Sequence, residues 1–409
     1  MTKPLLPPKK KNPLVRARVP VPTPAARSRA ALGLAVGAAE GRFALQVCAT
    51  CEAVNYPPRD VCEKCLSDAL RWRDVDPDGA IVAMTTMRVS GERWFRERAP
   101  WRTALVRLDA GPKVIAHLHG DCAPGTRVRL EIKLDQAGRG AIFALPVEKT
   151  PNAEDDPALR SFTADPKFRR VLITDGRAPS APALAKALVD AGATRVFVGM
   201  SEMWKPYPSP GTREAIEAVP LDLTDPVSVT ELAGRIGDKV DILVNNASYV
   251  RPGGLVMGQD AVRSRLAFET NCLGLMRLAA AFGPVIQARA AELGRNSAAF
   301  VNIMSAWCLS GAPEFAAYVA TQAAVRSLSH SLRAEMRPSG VKVVDVLAGP
   351  MDDEWHQTLR PPKITPGALA KAVVEALRDG REEIVVGEIA KEIHSKWADD
   401  PRILSQETL

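Results

Sequence analysis

Four cysteines arranged as two Cys-x-x-Cys pairs, Cys48–Cys51 and Cys62–Cys65, constrain this chain more than any other feature. Each pair is a tight knuckle that aims two thiolates at one point, and two knuckles ten residues apart complete a tetrahedral four-thiolate site. Such a site suits zinc and leaves no open position for substrate, so its metal is structural. It supplies folding energy to a segment too small to obtain it from apolar burial. A redox pair would stand alone at the start of a helix in a thioredoxin-like unit, and nothing around these pairs has that pattern. Cys122, Cys272 and Cys308 are scattered, and an odd total of seven with paired knuckles points to a reducing, cytoplasmic compartment.

Around this segment the texture divides the chain. Residues 1–27 read as a disordered tail rich in Pro and basic residues. Through residue 29 there are eight Lys or Arg and no acid, which accounts for the formal net charge of +7. Residues 28–74 hold a short helix and the cysteine segment. Residues 75–148 carry five strand-like runs (AIVAMTTMRV, TALVRLD, KVIAHLH, RVRLEIKL, AIFALPV), the pattern of a small antiparallel barrel. Residues 149–167 are polar and read as a linker. From 168 to 390 seven apolar runs alternate with helical periods at 182–191, 226–236, 260–293, 314–336 and 366–379, which predicts a doubly wound parallel sheet. Residues 391–409 are left as a C-terminal tail. No run of about 18 apolar residues exists, so no membrane span is expected. The folded part is nearly charge-balanced with no basic, aromatic-interleaved stripe, which argues against nucleic acid.

The segment QVCATCEAVNYPPRDVCEKC and the barrel after it resemble the acyl-CoA-associated OB-fold family with a rubredoxin-like zinc ribbon, over residues 30–148. The resemblance implies a non-catalytic subunit that accompanies a thiolase-family enzyme and meets acyl-CoA indirectly. Trp94, Phe95 and Trp101, between the first two barrel strands, either cap the barrel or anchor a protein contact.

The C-terminal part resembles the short-chain dehydrogenase/reductase family, a Rossmann-like fold. Asp222 in DLT, Asn245-Asn246-Ala247 and Asn271 in FETNCLG fall at family landmarks. So do Ser305 and Tyr318, thirteen residues apart. In an active member the tyrosine exchanges a proton, the serine holds the substrate oxygen, and a lysine one turn later lowers the phenol's pKa and bonds the nicotinamide ribose. The asparagine anchors a water relay. Here the lysine position is Gln322, and a neutral amide cannot lower a phenol's pKa. The phosphate loop, TGxxxGxG in the family, reads Thr174-Asp175-Gly176-Arg177-Ala178-Pro179-Ser180-Ala181. Asp175, Pro179 and Ala181 replace the glycines that allow a tight turn and close backbone approach to phosphate. The second strand ends near Gly199 and Met200, neither of which is the acid or base that reads the ribose. Glu202 and Lys205 would serve there only if the loop curled back.

The reading is therefore an inactive dehydrogenase-like domain, fused behind a zinc-binding OB module, in an accessory subunit of a complex that processes CoA esters. NAD(P) binding through Thr174, Gly176, Asp222 and Asn245 is not expected. A thiolase cleaves the 3-oxoacyl-CoA that a dehydrogenase makes, which gives such a scaffold its logic. Helices 260–293 and 314–336 match the family's dimer-forming pair, for self-association or for an active paralogue. The rival is an active NAD(P)-dependent 3-hydroxyacyl-CoA dehydrogenase or 3-oxoacyl reductase with catalytic Asn271, Ser305 and Tyr318.

Overall fold

Three short strands make the ribbon: β1 (Ala44–Cys48), β2 (Val54–Asn55) and β3 (Leu70–Asp74), antiparallel in the order β2-β1-β3. Helix α1 (Leu32–Glu40) precedes them and ends on Gly41, whose φ of 74° suits a residue without Cβ. This computed structural model describes residues 1–8, 28–148, 150–205, 214–256, 261–292, 297–359 and 361–406. Most of the basic tail, residues 9–27, lies outside the described residues.

All five barrel runs are strands: β4 (Asp78–Met87), β5 (Trp101–Leu108), β6 (Lys113–Leu118), β7 (Arg127–Leu134) and β8 (Gly140–Pro146). They close in the order β4-β5-β6-β8-β7. Alternate residues such as Val106, Val114, Ala116, Val128 and Leu130 fill the interior, as the two-residue side-chain period requires. Leu34 and Ala38 of α1 and Leu45 of β1 join that core, so ribbon and barrel share one apolar cluster. The approach needs Gly140, where a Cβ would stand 2.6 Å from the Leu34 carbonyl carbon. Between β4 and β5 a single helical turn, α2 (Arg93–Arg96), carries Trp94 and Phe95.

The C-terminal domain holds a seven-stranded sheet. In chain order the strands are β9 (Arg170–Ile173), β10 (Arg195–Met200), β11 (Ile216–Pro220), β12 (Ile242–Asn245), β13 (Ala299–Ser305), β14 (Lys342–Ala348) and β15 (Glu383–Val386). They run parallel in the order β11-β10-β9-β12-β13-β14-β15, and the order reverses between β9 and β12. A ligand cleft forms outside the carboxyl ends of strands at such a switch point.

Three boundaries read from sequence are corrected. The 149–167 "linker" is packed structure. It contains the one-turn helix α3 (Pro157–Arg160), capped by Asp156, and buries Asp155, Arg160, Phe162 and Ala164. Phe162 sets its ring edge-on to Phe143 of the barrel at 5.5 Å, while the Ala164 N–H donates to Leu377 O. Its polar composition misled because the buried acids are paired, Asp155 with Lys167 at 2.8 Å and Asp165 with Arg160 at 3.5 Å. The C-terminal "tail" is helix through residue 399, buries Ala390 and Ile393 on the sheet, and places Leu404 in the core beyond. At the other end, residues 1–8 lie against the body, with the Leu5 N–H donating to Asp155.

The remaining helices are α4 (Ala181–Asp190), α5 (Pro226–Ile236), α6 (Ala261–Ala267), α7 (Gly274–Glu292), α8 (Ala316–Met336), α9 (Pro366–Asp379), α10 (Glu388–Asp399) and α11 (Ile403–Gln406). A π-helical stretch, Phe268–Leu273, joins α6 to α7. Among the described residues, no helix is long and apolar enough to cross a membrane.

The barrel sits against the amino-terminal edge of the parallel sheet, away from the cleft. Lys342, at the start of β14, is buried and donates across the junction to Leu134 O at 3.0 Å. Lys133 donates to Asp379 O at 3.3 Å. Lys342→Ala takes the lysine donor from Leu134 O and Gly380 O and leaves a cavity, and we expect it to cost about 2–4 kcal/mol, read as a lower melting temperature.

Candidate functional site

The two knuckles are built alike. In each, the residue after the second cysteine adopts a left-handed conformation, Glu52 at φ 56° and Leu66 at φ 60°. Its N–H returns to the carbonyl of the first cysteine, Glu52 to Cys48 at 2.9 Å and Leu66 to Cys62 at 3.0 Å. The four sulfurs lie within 4.8 Å of one another, with Cys48–Cys65 at 3.5 Å and Cys51–Cys62 at 3.7 Å. Tetrahedral coordination at about 2.3 Å per Zn–S bond requires about 3.8 Å between sulfurs, so the donor set fits zinc. Backbone N–H groups of Cys65 and Lys64 pull the Cys62 thiol down to about 6, which favours the ligating thiolate. Two side chains that the sequence reading passed over hold the second knuckle. Buried Asn55 accepts the Glu63 N–H at 3.0 Å, and Gln46 both donates to and accepts from the Arg59 backbone. A second group of metal-type ligands, His330, Asp345 and Glu383, is already neutralised. Arg333 reaches Asp345 at 2.7 Å and Arg326 reaches Glu383 at 3.8 Å.

At the sheet's switch point, Thr174 follows β9 and donates to Asn245 Oδ1 at 3.1 Å. Asn246 clasps the next residue from both sides, accepting the Asp175 N–H at 2.9 Å and donating to Asp175 O at 2.8 Å. The Asp175 carboxylate turns inward and accepts the backbone N–H of Arg177 at 2.8 Å and that of Ala178. Burial raises its pKa, against the pull of those two N–H groups. The Ala181 N–H is used by Ala178 O, and Pro179 and Pro182 have none. Of residues 177–182, Ser180 alone is left with an N–H to offer an anion. Gly176, outside the three family glycine positions, is the one glycine in this loop, and its N–H donates to Gly199 O at 2.7 Å. A Cβ there would stand 2.6 Å from Met200 Sδ. Met200 is therefore packing between turn and strand rather than a ribose ligand. Glu202 and Lys205 pair with each other, and Asp222 is taken up by Thr224 in a tight turn before α5.

Across the cleft the other candidate residues do come together. The Tyr318 hydroxyl lies near those of Ser248 and Ser305, which pull its pKa down. Burial pushes the phenol up to about 12 despite that pull. Gln322 is buried and turned the other way, its Oε1 accepting the Ser305 N–H at 2.9 Å. Asn271 lies on the π-helical stretch. It accepts the Tyr249 N–H at 2.7 Å and donates to Thr321 at 2.8 Å. Behind them Trp307, Phe315 and His356 stack, and His356 Nδ1 meets Asp353 at 2.7 Å. Sequence reasoning missed Asn246, Asp353 and His356 as parts of this site. Asn246 was visible inside the quoted Asn-Asn-Ala motif; the loop that carries Asp353 gave no signal.

The family models divide the chain where its architecture does. Residues 169–363 match the short chain dehydrogenase model, residues 72–133 the ChsH2 C-terminal OB-fold domain, and residues 35–71 the ChsH2 rubredoxin-like zinc ribbon domain. The C-terminal domain belongs to the short-chain dehydrogenase family. It follows a ChsH2-type zinc ribbon and OB-fold domain in the same chain. An uncharacterized oxidoreductase of Mycobacterium tuberculosis is 29% identical over 225 residues, 52% of this chain and 64% of its own. The 1-deoxy-11-beta-hydroxypentalenate dehydrogenase of Streptomyces exfoliatus is 33% identical over 153 residues, 36% of this chain and 54% of its own. The chain thus spans less than two thirds of the length of these relatives. A solved short chain dehydrogenase from Burkholderia cenocepacia, in complex with NADP, superposes with a TM-score of 0.55 at 27% identity, covering 60% of this chain and 99% of that one.

Proposed function

We propose that this chain is an accessory, scaffolding subunit of a CoA-ester-processing complex with a thiolase-type partner, and that its dehydrogenase-like domain is catalytically inactive. The observation that carries the second half is the phosphate loop. Asp175 supplies from within the anion that a dinucleotide would bring, and the N–H groups that would bind phosphate are consumed or missing. Gln322 supports the same reading, because it is spent on the Ser305 backbone and carries no charge to lower the Tyr318 phenol. The ChsH2-type domains support the partner. Exposed uncharged residues at Leu273 before α7, Met276 on α7, and Ala320 and Ala323 on α8 leave room for self-association or for an active paralogue.

Phe95 packs on Trp101 at 5.5 Å and Arg98 covers Trp94 at 3.3 Å, so this loop partly caps the barrel. An open groove of about 510 Å³ remains beside it, lined by Ser90, Glu92, Phe95, Trp101 and His117. We place the partner contact there. The test is co-expression with a thiolase encoded beside this chain, followed by size-exclusion chromatography and a thiolysis assay. A stable complex is expected, burying about 2,000 Å² or more. Trp94→Ala with Trp101→Ala should weaken it at least tenfold with zinc content unchanged. A fully active thiolase migrating alone overturns this reading.

The rival, an active NAD(P)-dependent 3-hydroxyacyl-CoA dehydrogenase or 3-oxoacyl reductase, is favoured by one observation, the surviving proximity of Ser305 and Tyr318. Oxidation of a 3-hydroxyacyl-CoA with NAD by this chain alone would establish it.

A further inference from the structure

Arg251 stands out because two aromatic rings lie against its guanidinium while its charge has no carboxylate partner among the described residues. It follows β12 by six residues, where the chain leaves the switch point. Its guanidinium carbon lies 3.6 Å from the centre of the Trp355 ring and 4.5 Å from that of Tyr249. Nη1 donates to the Val250 carbonyl at 2.6 Å. Among the described residues no carboxylate lies within ion-pair distance of it. The side chain is half-buried, so solvent reaches it at the mouth of the cleft.

The surroundings fix that position. Asn271 accepts the Tyr249 N–H at 2.7 Å and donates to Tyr249 O at 3.3 Å, so the family's catalytic asparagine holds the backbone that carries one wall of the stack. The other wall is set by Asp353, which accepts the N–H of Trp355 at 2.9 Å and that of His356 at 3.0 Å. The Gly253 N–H donates to Glu314 O at 2.7 Å, which pins the loop beyond. The stack also borders the hydroxyl cluster. Ser248, three residues before Arg251, lies near Tyr318, and Tyr318 feels the charge of Asp353, two residues before Trp355. Stacking costs a guanidinium none of its N–H groups, and a planar fork presented edge-on matches carboxylate or phosphate oxygens. A cation held this way has its side-chain entropy spent before any ligand arrives.

We propose that Arg251, held against Tyr249 and Trp355, recognises the carboxylate or phosphate of an organic anion in the cleft. The site is separate from the closed loop at 174–181, so it stands whether or not the domain binds a dinucleotide and whether or not a thiolase is the partner.

The test is calorimetric titration of the zinc-loaded full chain with succinate, inorganic phosphate and coenzyme A, each at matched ionic strength in chloride. Saturable binding of at least one probe is expected. Succinate alone assigns a carboxylate site; phosphate or coenzyme A assigns a phosphate site. Arg251→Gln should weaken that binding about tenfold or more, the loss of a charge-assisted hydrogen bond. Arg251→Lys should restore little of it, because lysine keeps the charge but neither the fork nor the stack. Circular dichroism and zinc content of both variants should match the parent. Absence of saturable binding by all three probes, binding unchanged in Arg251→Gln, or full rescue by Arg251→Lys each overturns the assignment.

Discussion

A Cys62→Ser chain is expected to purify with little zinc and to lose the ribbon, while the parent carries about one zinc per chain. Little else holds residues 44–74. Their strands are five, two and five residues long, and their buried apolar residues are Ala44, Leu45, Val47, Cys48 and Cys62. Zinc in isolated four-ligand domains is worth about 10–16 kcal/mol at neutral pH, far more than such strands provide. Serine is a poor zinc ligand, and its loss also frees the second knuckle that Asn55 and Gln46 position. The damage should travel. Leu45 belongs to the same cluster as Val106 and Leu130, so an unfolded ribbon uncovers one end of the barrel. Metal analysis should show the loss. Proteolysis should cut first within 44–74, and the barrel should melt earlier than in the parent. A variant that keeps its metal, or one that loses it and still resists proteolysis there, contradicts this account. Cys122→Ser serves as the control. Cys122 is buried among barrel residues, away from the knuckles, and its replacement should leave zinc unchanged.

The cysteine pairs and the strand runs were legible because their signals are local. A knuckle is four residues, and a barrel strand announces itself by alternation. All seven parallel strands and four of the five predicted helices fall where periodicity put them, give or take a few residues at the ends, while the single helix read at 260–293 is divided into α6, a π-helical stretch and α7. The misplaced segments share a different property: their burial depends on distant partners. The 149–167 stretch reads as polar, yet Asp155 is satisfied by Lys167 and by Leu5. Helix α10 has a charged composition and buries a narrow stripe, Ala390 and Ile393, beneath salt-bridged lysines. The site divides along the same line. Glycine losses at 175, 179 and 181 are countable in the sequence, but the inward turn of Asp175 and the diversion of Gln322 to Ser305 are not. Each depends on which backbone N–H lies within reach once the sheet has formed. Arg251 gave no signal at all, because its two walls are more than a hundred residues apart.

The parent chain should bind neither NADH nor NADPH in the micromolar range, although a solved relative of the same fold was crystallised with NADP. A dinucleotide would have to displace the Asp175 carboxylate from the Arg177 and Ala178 N–H groups, then face that carboxylate's charge. Two substitution steps separate the contributions. Replacing Asp175, Pro179 and Ala181 together by glycine removes the internal anion, frees the Arg177 and Ala178 N–H groups and adds one at 179, so fluorescence titration should detect NADPH binding that the parent lacks. Recovery should be partial, because Pro182 still withholds a donor in the first turn of α4. Adding Gln322→Lys supplies a ribose ligand and, above all, a cation for the phenol. With the phenol at about 12, roughly one Tyr318 in 10⁵ is ionised at pH 7. The sign is set by burial: the raised value keeps the neutral form past pH 10, so stability tied to it is intact below that pH and falls as pH climbs towards 12. A lysine cation at 322 should bring the phenol down and raise turnover of a 3-oxoacyl-CoA by about 10²–10⁴ over the triple-glycine chain. A Tyr318→Phe control should abolish that gain. Tight NADPH binding by the unaltered chain, with density lying over residues 174–181, would mean that Asp175 swings out at little cost, and the inactive reading would give way to an oxidoreductase.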